Sequence, residues 1–258
     1  MSWWFFPAHY VAHVQPSLAQ GTADGNYPLS ICRTLDINLR AKLTPHATNG
    51  LEIRWDRGAG TNRAAIDSIL ILNNTMSGSN WSVDGDDDAG FTSPTALISA
   101  STNIQRDIWQ RFDGAVSNAE RYVRFRWAQT APGPYNFGLI SLGKSYQLTL
   151  GPQISSENFA AIPGPTESWS REFYAVVRAT VQTMVDLASR DYVYDGGGTV
   201  QDAFGGGGGL RPVAVVDDST NPDTVYYGLA RVSGKPRANN YSALNVDFFK
   251  LLRPGLHL

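Results

Sequence analysis

A chain of 258 residues, 42% of them hydrophobic, can bury a sizeable core in one large domain or two smaller ones. Its net charge of −2 excludes a basic surface spread over the whole molecule, and with it general nucleic-acid binding. Cys32 is the single cysteine, so no internal disulfide framework can form.

The opening residues Met1-Ser2-Trp3-Trp4-Phe5-Phe6-Pro7 are apolar but carry no basic stretch and are too short to span a bilayer. Synthesis in the cytoplasm without a membrane partner is the expectation. Residues 1–30 hold aromatic side chains without a clear period, broken by Pro7, Pro16, Gly21, Gly25 and Pro28, and read as an extended N-terminal arm. His9 and His13 have the four-residue spacing of a helical metal pair, but Pro7, Val11 and Val14 favour an extended chain there and no acidic partner follows.

Residues 31–150 read as a β-sandwich. Ile31, Leu35, Ile37, Leu39 and Leu43, then Leu51 to Trp55, fit strands separated by the turn signals Asn49-Gly50 and Gly58-Ala59-Gly60. Ile69 to Leu72 is a continuous apolar run before Asn73-Asn74, as in a strand buried on both faces. Asp84, Asp86 and Asp88 crowd a Gly-flanked loop that could offer oxygens to calcium. The EF-hand glycine position and terminal Glu are missing, which favours a solvated acidic loop and no cofactor. Residues 91–120 mix short apolar groups with Ser, Thr and Asn. Trp109 and Phe112, near Arg106 and Arg111, suit either a surface site or packing, and packing is the commoner use. Tyr122, Val123, Phe125 and Trp127 alternate with Arg121, Arg124 and Arg126, the pattern of a strand with one wet face. Phe137 to Lys144 and Tyr146 to Leu150 supply further strands.

Gly151-Pro152 and Ile162-Pro163-Gly164-Pro165 mark a boundary, leaving residues 151–258 as a smaller β-rich part. Here Arg171 to Val177 reads as a strand, and Val177, Val181, Met184, Val185 and Ala188 recur at the three- and four-residue spacing of one α-helix ending near Arg190. The glycine runs Gly196–Gly198 and Gly205–Gly209 lack the Lys-Ser/Thr of a phosphate-binding loop and read as a mobile loop. Leu210–Asp218, Thr224–Ala230 and Leu244–Phe249 complete a predominantly β chain.

Several of these motifs, taken in order, resemble a family of tailed-bacteriophage virion proteins built on a discoidin-like, carbohydrate-binding-module-like jelly-roll sandwich followed by a β-rich part. They are Ile66 to Val83 with Asn73-Asn74, Arg121 to Phe125, Phe137 to Gly143, Pro212 to Asp217 and Tyr226 to Ala230. The resemblance covers most of the chain from about residue 50. It implies a non-catalytic structural protein of the virion tail, at the distal end or baseplate, that assembles with itself in a ring or other homo-oligomer and with other tail proteins. Trp3, Trp4, Phe5 and Phe6 on the arm, and Arg121, Arg124 and Arg126 on one strand face, are the candidate assembly surfaces. The alternative is a glycan-binding module that recognises a host-surface receptor, in which loop aromatics stack on sugars and Asp or Asn side chains bond hydroxyls. Trp81, Asp86, Trp109 and Tyr135 are its candidate ligand residues. For an enzyme, Cys32, Asp36 and His46 are close in sequence, but no nucleophile motif surrounds Cys32, and neither a Gly-x-Ser-x-Gly elbow nor a His-Glu-x-x-His helix occurs.

Overall fold

The computed structural model describes residues 3–6, 15–33, 39–59, 66–113, 120–148, 153–161, 175–185, 211–216, 225–233 and 242–251. The chain forms two compact units, one made of Met1–His9 with Tyr146–Leu258 and the other of Tyr10–Ser145. The strands in chain order are β1 (Trp3–Phe6), β2 (Pro16–Gln20), β3 (Thr22–Ala23), β4 (Ala41–Thr44), β5 (Leu51–Asp56) and β6 (Ser68–Leu72). They continue with β7 (Trp81–Asp86), β8 (Thr95–Ser101), β9 (Ile108–Arg111), β10 (Tyr122–Trp127), β11 (Tyr135–Phe137) and β12 (Leu139–Gly143). The last six are β13 (Tyr146–Leu148), β14 (Gln153–Ala161), β15 (Ala175–Val185), β16 (Arg211–Val216), β17 (Val225–Ser233) and β18 (Ser242–Leu251). Every strand pairing among the described residues is antiparallel, and the expected mainly-β, sandwich-like architecture is what the chain adopts. Among the described residues no helix is long and apolar enough to cross a membrane.

In the Tyr10–Ser145 unit a five-stranded sheet, ordered β2-β5-β10-β7-β8, shares one core with two three-stranded sheets, β11-β4-β3 and β12-β6-β9. Alternation explains the layering. Leu51, Ile53 and Trp55 of β5, Val123, Phe125 and Trp127 of β10, and Trp81 and Val83 of β7 point inward. Opposite them lie Ile69 and Ile71 of β6, Ile140 and Leu142 of β12, and Leu43 and Phe137 of β4 and β11. All five residues of β6 are buried, as its unbroken apolar run requires. A 3-10 turn, Leu29–Arg33, closes the core by inserting Leu29 and Cys32.

Tight turns hold the strands in register. Asn49-Gly50 ends a hairpin in which His46 and Gly50 exchange main-chain hydrogen bonds of 2.8 and 3.0 Å. Gly50 sits at φ +74°, and a Cβ there would lie 2.2 Å from the Trp127 carbonyl oxygen, so both conformation and space demand glycine. Asn73, at φ +50°, begins the turn after β6. Asn74 secures that turn by donating its side-chain amide to the carbonyls of Gln105 and Arg106 at 2.7 and 2.8 Å.

The other unit is a seven-stranded sheet ordered β13-β1-β16-β17-β18-β15-β14. Two expectations are corrected here. Within the span read as an arm, Trp3–Phe6 is a strand bonded on one side to β13 and on the other to β16, with Trp4 and Phe6 buried. Pro16–Gln20, further along the same span, pairs with β5. The segment read as a helix is the strand β15, bonded to β14 and β18. A four-residue interval is also an even one, so the spacing Val177, Val181, Val185 serves a two-residue period equally well. The β-branched Val and Thr residues of this run then decide for a strand. The histidine pair, the Pro/Gly boundary at 162–165, Arg190 and the glycine runs lie outside the described residues.

Candidate ligand-binding surface

The outer face of the five-stranded sheet collects the polar half of each alternating strand. Register places Arg54 beside Arg124 and Arg124 beside Asp84, with Glu52 beside Arg126 and Arg126 beside Ser82. The charges pair within the chain. Arg124 Nε donates to Asp84 Oδ2 at 3.0 Å, Arg126 Nη2 lies 2.9 Å from the same oxygen, and Arg54 pairs with Glu52. Arg121 grips Asp56 with two bonds of 2.9 and 2.8 Å, and that carboxylate holds its guanidinium charged more firmly than usual. Arg121, Arg124 and Arg126 thus each have a carboxylate partner within the chain. Of Trp3, Trp4, Phe5 and Phe6, the two whose side chains are described, Trp4 and Phe6, are buried.

The acidic loop after β7 folds back on this face. Asp86 accepts main-chain N–H groups of Asp88 and Ser93 at 3.0 and 2.9 Å, which hold its carboxyl below the ordinary carboxylate range. Asp88 accepts the Gly90 N–H and the Thr92 hydroxyl. Phe91, in the left-handed region at φ +52°, lays its ring under Arg124 and Arg54, whose guanidinium carbons lie 4.3 and 5.1 Å from its centroid. Asp84, Asp86 and Asp88 thus serve three different sets of partners. Among the described residues no three His, Cys, Asp or Glu side chains gather as a metal site.

The four residues expected to face a sugar are not brought together. Trp81 is 1% exposed, packs against Phe125 and donates its indole N–H to the Asn103 carbonyl at 2.8 Å, so its face is closed to a ligand. Trp109 is buried in β9. Asp86 organises its own loop, and Tyr135 stands edge-on to Trp127 with ring centroids 4.7 Å apart. The residues weighed for nucleophilic chemistry do not combine. Cys32 is fully buried, its thiol pushed up to about 12 by desolvation, while His46 Nδ1 accepts the Thr48 and Asn49 N–H groups at 3.2 Å. Asp36 lies outside the described residues.

A different surface has the composition of a binding platform. Tyr27 is 42% exposed, one of two large hydrophobic residues to be so among the described residues, the other being Leu39. The loop that carries it is fixed to β4. Asp24 N–H donates to the Lys42 carbonyl at 2.9 Å, Lys42 N–H to the Tyr27 carbonyl at 3.0 Å, and Tyr27 N–H to the Asp24 carbonyl at 3.1 Å. Asn26 N–H closes an Asx turn on the Asp24 carboxylate at 2.8 Å. Because Ala41 and Leu43 point into the core, Lys42 points out, and its ammonium lies 3.9 Å from the centroid of the Tyr27 ring. Asn136 stands opposite Lys42 on β11 and so shares that face, its main chain fixed by two bonds to Thr75. An aromatic residue inside the Gly/Asn/Pro-punctuated stretch Asp24-Gly25-Asn26-Tyr27-Pro28 was the available sequence signal.

No family model matches the chain, and no curated protein matches it. Solved structures do. A chitosan-binding module from a chitosanase/glucanase of Paenibacillus sp. IK-5 aligns at 12% identity and a TM-score of 0.41, covering 52% of this chain and 98% of its own. The module CpGH89CBM32-6 produced by Clostridium perfringens aligns at 13% identity and a TM-score of 0.37, covering 51% and 93%. The CBM32 of AlyQ, in complex with 4,5-unsaturated mannuronic acid, aligns at 14% identity and a TM-score of 0.35, covering 50% and 92%. None of these three is described as a virion protein.

Proposed function

We propose that the Tyr10–Ser145 sandwich is a non-catalytic carbohydrate-binding module and that its ligand platform is built on Tyr27, Lys42 and Asn136. The observation that carries the reading is the exposed Tyr27 ring on a loop locked to β4 by main-chain bonds. A rigid aromatic face loses little conformational entropy on binding and suits the apolar face of a pyranose, while a neighbouring amide and ammonium can bond its hydroxyls. In the setting that the sequence resemblance implies, a bacteriophage tail, such a module would hold the particle to a host-surface glycan. The test is a glycan array with the full chain and its Tyr27→Ala variant. Binding to at least one glycan, lost in the variant while its thermal unfolding is unchanged, supports the reading. Binding unaffected by Tyr27→Ala would move the site elsewhere.

A further inference from the structure

Resting on that reading of the site, we infer that the sugar it takes is anionic, carrying a carboxylate or sulfate beside the ring that stacks on Tyr27. The charge pairing of the sandwich is uneven. On the five-stranded sheet Arg54, Arg121, Arg124 and Arg126 each have a carboxylate partner at ion-pair distance. At β4 and the residue before it the pattern is different: neither Lys42 nor Arg40 has an ion-pair partner among the described residues. Arg40, exposed, immediately precedes β4 and Lys42, half-buried, lies within it, and the two alternate with the buried Ala41 and Leu43 along this stretch. The carboxylate of the Tyr27 loop, Asp24, is turned back onto the Asn26 N–H. The surface therefore joins an exposed aromatic ring, an ammonium 3.9 Å from its centroid, a guanidinium two residues away, and an amide across the ladder. A neutral sugar uses the ring and offers the amide and the ammonium only uncharged hydroxyl oxygens. An anionic one also gives the two cations an acceptor for charge-assisted hydrogen bonds.

The chemistry separates from the general reading in one titration series on the full chain. Isothermal titration would compare an oligogalacturonate, its fully methyl-esterified form and a sulfated galactose trisaccharide. The parent should bind the free acid about fivefold more tightly than the ester at low salt, a factor set by one partly screened ion pair. Raising the salt to about 0.5 M should erase the difference. Lys42→Met should weaken the acid more than the ester and so bring the two toward equal affinity, and Arg40→Gln should weaken the preference in part. Both side chains reach solvent, so circular dichroism should confirm folded variants. Tighter binding of the sulfated sugar than of the acid would support the inference and identify sulfate as the anion. Equal affinity of the parent for acid and ester, with both lost in Tyr27→Ala, would overturn the anionic preference and leave the platform standing. No binding of any of the three, nor of any sugar on the array, would overturn both.

Discussion

Removing the carboxylate of Asp84 is the sharpest test of the paired charges on the five-stranded sheet. Its side chain is 8% exposed and that of Arg124 12%, so the pair has given up most of its water. Asp84→Ala leaves the Arg124 guanidinium desolvated with Glu52 as its remaining carboxylate, at 3.9 Å. Two unit charges about 4 Å apart attract by about 4 kcal/mol at an effective dielectric constant of about 20. Breaking one side of a buried pair costs about 3–5 kcal/mol. Glu52 compensates in part and Arg126, at 48% exposure, adds little, so a loss of about 3 kcal/mol is expected. Urea unfolding followed by tryptophan fluorescence suits the measurement, because Trp55, Trp81 and Trp127 are all fully buried in this core. Arg124→Met and the double variant complete a cycle whose coupling should be about 2 kcal/mol, so that the double variant loses about 2 kcal/mol less than the two single losses added together. A loss under about 1 kcal/mol, or strict additivity, would refute the idea that the network is desolvated.

Gly50→Ala should cost about 3 kcal/mol or prevent folding, since left-handed strain of about 1–2 kcal/mol adds to a backbone contact at 2.2 Å; a melting temperature within a few degrees of the parent would contradict this. Cys32 should resist an aromatic disulfide reagent in the folded protein and react at once in urea, and fast native labelling would show that the thiol is reachable. The sign for pH follows from its raised value: stability from the neutral thiol is complete below the unfolded thiol's pKa and fades as pH climbs toward about 12. Asp86 has the opposite sign, its lowered carboxyl adding stability above its ordinary value near 3.8 that is lost as pH falls through the depressed folded value. Asp86→Asn should flatten that part of the acid limb of a stability–pH curve, and an unchanged limb would count against the Asp88 and Ser93 hydrogen bonds.

What sequence makes legible here is local. The unbroken run of β6 and the alternation of β10 announce their strands and their burial, because side-chain period is a property of neighbouring residues. Apart from the helix-like spacing of β15, what the sequence misplaces depends on a distant partner. Trp81 reads as a loop residue until its place as the first inward position of β7 is known, and a shift of one residue would have turned it outward. Arg124 presents an apparently free cation until register sets Asp84 beside it, 40 residues earlier in the chain. Trp3–Phe6 looks like a loose arm because its strand partners lie at 146–148 and 214–216. The Tyr27 platform suffers the same way, since Lys42 and Asn136 meet on one face only through the β4–β11 ladder.

The placement of β1 between β13 and β16 also makes the sandwich an insertion. The chain enters the seven-stranded sheet, leaves it for residues Tyr10–Ser145, and returns at Tyr146. Phe5, the last residue of β1 paired with β13, stands opposite Tyr146, so the exit and the return are neighbours on one ladder, as the two ends of an exchangeable cassette would be. In evolutionary terms such an arrangement lets the inserted module be traded or retuned while the host sheet keeps its hydrogen bonds. It also sets an order on synthesis: β1 emerges first but can complete its pairing only after the whole sandwich has been made.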